Sequence, residues 1–411
     1  MTVGVVVSQY PAPSHTFIRR EVAALRGLGV DVETFSIRPG QPLSEADRAE
    51  QARTFTVLDG SPLALAWPVL AGARRPLRWA RALRVSLRHA LPGAGQRLRA
   101  LAYFAEGLRL GAEMERRGVT HVHSHFANPA AVAALAASRW LGAGWSVTVH
   151  GLSDFAGAMT PRLAAKIEDA EFVASATEWG RARLEKLAGG DDARKLHVVR
   201  CGVDVAALPA PARTAPGPGA PLVVLSVGRL SPEKGHVGLV EAFAALVRRG
   251  HDCRLVLIGG GPEERAIRAA VAAAGLEDRV ELRGAQPEAA VLEEMARAHV
   301  FAMSSLMEGL PVVLMEALAL ELPVVAPAIS GIPELVVHGE TGLLYAAGRW
   351  GELAEALERL ATDAALRGRT GRAGRARVLR EFDAVTAARP LAGLLGAGAG
   401  RGHTENAGEG T

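Results

Sequence analysis

From Leu222 onward the sequence alternates between two patterns with a regularity that few folds allow. Apolar runs at Leu222–Val227, Arg254–Ile258, Val280–Arg283, Val300–Met303 and Pro323–Ala326 are separated by helical segments. These are His236–Arg249, Glu263–Ala274, Glu288–Ala298, Val312–Leu320 and Glu334–Val337. The runs are continuously apolar, which predicts strands covered on both faces, as in a parallel sheet with helical crossovers. The first half repeats the pattern more loosely. Strands are expected at Val3–Ser8, Val30–Phe35, Val119–Ser124, Ser146–His150, Phe172–Ala176 and Leu196–Arg200, and helices at Thr16–Leu28, Ala127–Leu141, Pro161–Asp169 and Trp179–Ala188. The chain is therefore read as α/β, with two doubly wound domains facing a central cleft. Ligands of such sheets bind at the carboxyl ends of the strands.

The stretch 209–221 (PAPARTAPGPGAP) has no periodicity and a single charge, and reads as a semi-rigid linker. It separates an N-terminal domain at 1–208 from a C-terminal one at 222–378. A helix at 379–395 is expected to return to the N-terminal domain, and the glycine-rich tail 396–411 is expected to be disordered. Of the 411 residues 49% are apolar and 22% charged, which excludes a disordered chain and a coiled-coil rod. A net charge of +4, from 47 basic and 43 acidic residues, is too thin to point to nucleic acid, and no nucleic-acid partner is expected. Two cysteines, Cys201 and Cys253, build neither a disulfide scaffold nor a cysteine zinc site, and a reduced cytoplasmic compartment fits. The N-terminus lacks the basic start of a secretory signal and reads as a first buried strand. The longest apolar run, Pro62–Ala73, falls short of the ~20 residues that span a bilayer.

Several segments carry chemistry. In Ser305–Glu316 (SLMEGLPVVLME), Pro311 stands where a helix begins, so Glu308 lies in the preceding loop and Glu316 about one and a half turns into the helix. The free amides of that helix suit an anion. In Val227–Gly235 (VGRLSPEKG), Arg229 and Lys234 directly follow a buried strand. A fork and a point charge at a strand end suit a phosphate or diphosphate. Ser231 and Pro232 read as a helix cap and first position. Gly259–Pro262 (GGGP) reads as a tight turn, and no G-x-G-x-x-G fingerprint follows either first strand, which speaks against a nicotinamide dehydrogenase. His150 ends a strand, with Asp154 close behind. His121, His123 and His125 alternate on one strand face, with His125 expected beyond the strand end, and a metal is the minor reading of the three. Arg74–Arg99 holds eight arginines and no acid, with Leu77, Leu83, Leu87 and Leu91 interleaved and Trp67 and Trp79 nearby. Two readings stay open there: an anionic membrane surface, or a solvated basic face packed by its leucines.

In this order the motifs resemble retaining glycosyltransferase family 4, the nucleotide-sugar enzymes of GT-B fold. The elements are GRLSPEKG, IGGGP, EGLP with its second Glu, Gly331-Ile-Pro-Glu-Leu and Gly339-Glu-Thr-Gly-Leu-Leu. In the first half, HSHF at 123–126 and TVHG at 148–151 match as well. Pro11–Ile18 (PAPSHTFI) with Glu21 resembles the exopolysaccharide or colanic-acid-type subgroup, with His15 standing where that subgroup usually has Glu.

The resemblance implies roles. Arg229 and Lys234 would hold the donor diphosphate, and Glu308 the hydroxyls of the donor sugar. Gly309, Leu310 and Pro311 would form the turn into the helix, and Glu316 would hold the ribose. His150 would touch the donor sugar from the N-terminal domain, Arg283 and Gly284 would lie near the base, and Ser14 and His15 on the acceptor side. No cofactor and no metal are expected, because the two cations and the helix dipole do a metal's work. The implied reaction moves a hexosyl group from a nucleoside-diphosphate sugar, with retention, to a glycan or lipid-linked acceptor in surface-polysaccharide assembly. The enzyme would be cytoplasmic, peripheral on the inner face of the cytoplasmic membrane. A soluble acceptor, a nucleotide-sugar 2-epimerase and a noncatalytic binding subunit are the alternatives.

Overall fold

The computed structural model describes residues 1–12, 15–60, 63–151, 154–155, 162–211 and 219–399. The chain divides into two compact units, Met1–Cys201 with Ala387–Thr411, and Gly202–Thr386. Most of the stretch read as a linker, 212–218, lies outside the described residues.

The first unit has seven strands: β1 (Thr2–Gln9), β2 (Asp31–Arg38), β3 (Phe55–Thr56), β4 (Val119–His125), β5 (Gly144–Val149), β6 (Phe172–Ser175) and β7 (Leu196–Val198). They form one parallel sheet in the order β3-β2-β1-β4-β5-β6-β7. Its helices are α1 (Thr16–Gly27), α2 (Glu45–Arg53), α3 (Leu63–Gly72), α4 (Pro76–Arg88), α5 (Ala94–Arg116), α6 (Pro129–Leu141), α7 (Leu163–Asp169) and α8 (Glu178–Glu185). The alanine-rich α6 is buried along most of its length. It starts at Asn128, whose side chain accepts from the Ala130 amide (3.0 Å), and stops at Gly142 in the left-handed region. Its small side chains and Gly107 and Gly111 of α5 let the two helices approach closely. Val122, Val147 and Val149 of the sheet complete this core.

The second unit has β8 (Leu222–Val227), β9 (Cys253–Ile258), β10 (Val280–Leu282), β11 (Val300–Ala302), β12 (Val324–Pro327) and β13 (Leu343–Tyr345), parallel in the order β10-β9-β8-β11-β12-β13. Its helices are α9 (His236–Arg248), α10 (Glu264–Ala273), α11 (Glu288–Arg297), α12 (Val312–Ala319), α13 (Ile332–Leu335), α14 (Trp350–Thr362) and α15 (Ala364–Glu381); α16 (Ala384–Ala399) follows and groups with the first unit from Ala387 on. Val224, Leu255 and Leu257 of the sheet pack with Phe243, Ile267 and Leu357 of its helices.

Both expected sheets are present. The expectation missed the short β3 and β13, and α2, α3 and α5 altogether. The helices α14, α15 and α16 follow Arg349, and α16 reaches Ala399 within the stretch expected to be disordered; residues 400–411 lie outside the described ones. His125 is the last residue of β4, not a residue beyond it, because its pairing with Thr148 extends the ladder.

Candidate functional site

Each sheet has one topological switch point, where the chain leaves one strand and later returns to its neighbour on the other side. In the second unit this lies between β8 and β11, and Arg229, Lys234, Glu308, Gly309, Leu310 and Pro311 lie in the loops that follow these two strands. After β8 the chain makes a short turn at Pro232–Lys234, and α9 starts only at His236. Ser231 does not cap a helix through its side chain, as the spacing suggested. Its hydroxyl instead donates to Glu233 Oε1 (2.7 Å) and takes a bond from Arg229 Nε (3.3 Å). Arg229 also pairs with Glu233 (2.6 Å). The Ser231 hydroxyl, with the backbone and Arg229, pulls the Glu233 carboxyl down to about 2.

Lys234 turns the other way, toward the loop after β11. Its Nζ donates to Glu308 Oε1 at 2.6 Å, and Ser305 Oγ donates to the same oxygen at 2.6 Å. The two loops are stitched at the backbone. Ser304 Oγ donates to the Lys234 carbonyl (2.8 Å) and the Leu306 amide to the Glu233 carbonyl (2.8 Å). Gly235 makes this approach possible: its φ is 64°, and a Cβ there would run into the Ser304 carbonyl oxygen, with Trp350 close by. The Lys234–Glu308 pair is only partly exposed, so each charge depends on the other.

Beyond Glu308 the turn is fixed by the Gly309 carbonyl, which accepts from the Gly331 amide (3.1 Å), and by buried Leu310. Pro311 caps α12, so the first amides of α12 open onto the same region, and Glu316 is buried in the middle of the helix. Arg283, just after β10, is held by Glu281 (2.9 Å) and Glu294 (2.6 Å). Gly284 is left-handed, and its carbonyl accepts from the Gly259 amide (2.9 Å). The glycine triplet is a close-packing device. A Cβ on Gly259 would strike the Gly228 carbonyl oxygen.

The first unit's switch lies between β1 and β4 and is built of imidazole and phenyl rings. Ser14 lies outside the described residues. His15 Nδ1 is 3.0 Å from the Gln9 carbonyl oxygen, at the end of β1, and its ring meets Phe126 just past β4 at 5.1 Å. Phe126 has a φ of 67°, an uncommon strain for a bulky residue. Phe126 and Phe17 each lie 4.8 Å from the His150 ring. Asp154 ties the ends of β4 and β5 together, accepting from the Ala127 amide (2.9 Å) and the His150 amide (2.9 Å). Burial raises the Asp154 carboxyl to about 6 against these bonds, and lowers His15, His123 and His150.

The ligand atoms of Glu21, His123 and His125 lie within 4.8 Å of one another. Both His123 nitrogens are already engaged, with Ser146 Oγ (2.8 Å) and Thr148 Oγ1 (2.9 Å), which leaves two donors where catalytic zinc sites use three protein ligands.

The second switch point thus offers cations and helix amides for an anion beside a carboxylate for hydroxyls. Sequence comparison is in line with this. Residues 14–207 match the family described as Glycosyltransferase Family 4, and residues 214–377 match Glycosyl transferases group 1. A protein named as the colanic acid biosynthesis glycosyltransferase WcaL of Salmonella typhimurium is 30% identical over 84% of this chain and 86% of its own length. The chain belongs to glycosyltransferase family 4. As a family 4 enzyme it also resembles the amylovoran biosynthesis glycosyltransferase AmsK of Erwinia amylovora, 37% identical over 51% of this chain and about half (52%) of AmsK. The match to the alpha-D-kanosaminyltransferase of Streptomyces kanamyceticus, at 35% identity, covers 36% of this chain and 38% of that protein. Among solved structures, sucrose-phosphate synthase from Thermosynechococcus elongatus superposes with a TM-score of 0.72 at 21% identity, over 97% of this chain and 99% of that one. HepE of Anabaena in complex with UDP gives 0.71 at 19%, over 96% and 99%. These likenesses establish the GT-B fold.

Proposed function

We propose that this glycosyltransferase moves a hexosyl group from a nucleoside-diphosphate sugar to a glycan or lipid-linked acceptor in surface-polysaccharide assembly, with retention of configuration. The Lys234–Glu308 pair at the β8/β11 switch carries the reading: a cation and a carboxylate 2.6 Å apart, beside the start of α12. Departure of the nucleoside diphosphate develops negative charge on the β-phosphate. Lys234, Arg229 and the α12 amides are preorganised to stabilise it, with no metal in the reading. Glu308 accepts sugar hydroxyls, Glu316 the ribose, and Gly309, Leu310 and Pro311 set the turn between them. Arg283 and Gly284 border the base. His150 contacts the donor sugar, and Ser14 and His15 belong to the acceptor side. The long match to WcaL supports the glycan acceptor. The shorter match to the kanosaminyltransferase favours a soluble acceptor as the second reading.

No helix among the described residues is long and apolar enough to cross a membrane. The α3–α5 region supports peripheral attachment to an anionic surface, the inner face of the cytoplasmic membrane in this reading. Trp67 is 69% and Leu77 74% exposed, and Leu70, Leu87 and Leu98 are exposed with them. Arg75, Arg78 and Arg88 are occupied by Glu115, Glu168 and Asp169. Arg74, Arg81, Arg84, Arg97 and Arg99 are exposed without an ion pair among the described residues, next to these apolar side chains.

The test is product analysis in EDTA, with a panel of nucleoside-diphosphate sugars offered with a lipid-linked glycan or a soluble aminocyclitol. The expected result is transfer to the glycan with the donor's anomeric configuration. An inverted product, transfer to the aminocyclitol alone, or donor conversion without any acceptor contradicts it.

A further inference from the structure

A chain of buried polar groups runs behind His150. His125 Nε2 and Glu21 Oε1 are 3.3 Å apart, off the line of a good hydrogen bond, and neither atom has a hydrogen-bond partner. His125 Nδ1 lies 2.9 Å from His150 Nε2, and His150 Nδ1 lies 3.5 Å from Cys201 Sγ. The rings of His125 and His150 stack at 5.1 Å. Glu21 and Phe17 are four residues apart on α1 and reach the two histidines from one helix face. We propose that Glu21 is a positioning residue that acts through His125 to fix the tautomer of His150, leaving Nδ1 of His150 unprotonated.

The direction follows from donor and acceptor counts. A carboxylate only accepts, and its oxygen at 3.3 Å would repel a bare Nε2, so the His125 proton is favoured on Nε2 even though the contact is not an aligned hydrogen bond. The Nδ1 of that neutral ring must accept, and the group it meets at 2.9 Å is His150 Nε2, which therefore carries the proton. His150 Nδ1 is left as an acceptor facing Cys201. Burial pushes that thiol upward, so its S–H stays available as a weak donor. In the opposite tautomers a bare His125 Nε2 would face a carboxylate oxygen at 3.3 Å, two buried acceptors with no proton between them. A cationic His125 would also reverse the bond to His150, at the cost of a charge among the buried rings of His123 and His150.

One consequence rests on the proposed sugar contact of His150. An unprotonated Nδ1 has one lone pair, so it accepts from a sugar hydroxyl only in place of the weak Cys201 S–H donor, and it repels a phosphate oxygen. With its proton held on Nε2 by the chain from Glu21, the His150 ring presents Nδ1 as an acceptor.

The test uses full-length protein with ring-15N histidine and long-range 1H–15N correlation spectra, the His150 signals being assigned with His150→Gln. The wild type is expected to show a protonated Nε2 and a bare Nδ1. In Glu21→Gln the amide N–H can face His125 Nε2 and reverse the chain, so His150 shifts to the Nδ1–H form. Transfer is then expected to lose about 10²-fold in kcat, with KM for the donor little changed. Glu21→Asp keeps the carboxylate and is expected to keep the wild-type tautomer and much of the rate. An Nδ1–H ring in the wild type, the same tautomer in Glu21→Gln, or stoichiometric Zn2+ binding that Glu21→Gln abolishes would overturn the proposal. A reversed tautomer with unchanged transfer upholds the coupling and removes His150 from the reaction.

Discussion

The two units use the same device, a parallel sheet with a switch point, and furnish it with opposite chemistry. At β8/β11 the groups are charged and reachable: Lys234, Glu308, Arg229 and Glu233, linked by bonds of 2.6 Å. At β1/β4 they are rings packed on one another: His15, Phe17, Phe126 and His150, half-buried, and His125 and His123, buried. The contrast separates two tasks. Stabilising charge on a leaving diphosphate needs fixed cations at the site. Orienting a sugar and excluding water needs shape and defined donors and acceptors, which buried rings supply at the cost of holding imidazoles neutral.

Substitutions can break this contrast. The largest effect is expected from Lys234→Ala, a loss of about 10³-fold in transfer measured by release of nucleoside diphosphate. Near-normal turnover would remove Lys234 from diphosphate binding. Glu308→Ala is expected to cost transfer about 10²-fold while the calorimetric affinity for the nucleoside diphosphate changes much less. Selective loss of nucleotide affinity would move Glu308 to the phosphate side.

Acid sharpens the comparison through stability. His121 in the first unit and His236 in the second are each held near 4 by burial, below the ordinary 6.5. Such a ring stabilises the fold fully above pH 6.5 and loses that contribution as pH falls toward 4. In the first unit His15, His89, His123, His150 and His197 are lowered as well. Asp154 and Glu106 there run the other way, since burial raises them to about 6 and about 7. Their contributions are present in acid and fade as pH rises through those values. Six lowered imidazoles against two raised carboxyls leave the first unit the more acid-sensitive of the two between pH 6.5 and 5. Hydrogen-exchange protection at pH 7 and pH 5 should fall further in β4 and β5 than in β8 and β9. An equal fall in both would contradict this.

The smallest effect lies on the basic face. Replacing Arg81, Arg84, Arg97 and Arg99 by serine is expected to weaken binding to anionic vesicles by about 1 kcal/mol per residue, with soluble turnover unchanged. Unchanged vesicle binding would make that face a solvated one.

Local signals made the second unit readable. The strand expected at Leu222–Val227 is β8 residue for residue, and the motifs placed Lys234, Glu308 and Pro311 at strand ends and a helix start. The contact between Lys234 and Glu308 was not readable, because it joins residues 74 apart through the β8/β11 crossover. Ser305, the first residue of that motif, and Ser304, just before it, hold this pair in place and carry no signal of their own. In the first unit the stretch 74–99 reads as one basic segment, but Pro92 and left-handed Gly93 divide it into α4 and the start of α5. The link from Glu21 to His125 to His150 depends on the pairing of β4 with β5 and on the packing of α1, and no spacing in the sequence contains either.

The most direct test of the charged switch point is calorimetric titration of the wild type and Lys234→Ala with UDP, GDP, ADP and dTDP, first in EDTA and then with magnesium. The account predicts that one diphosphate binds the wild type selectively, that EDTA leaves this binding intact, and that Lys234→Ala loses it. Binding only with magnesium, or equal binding by both proteins, would contradict it.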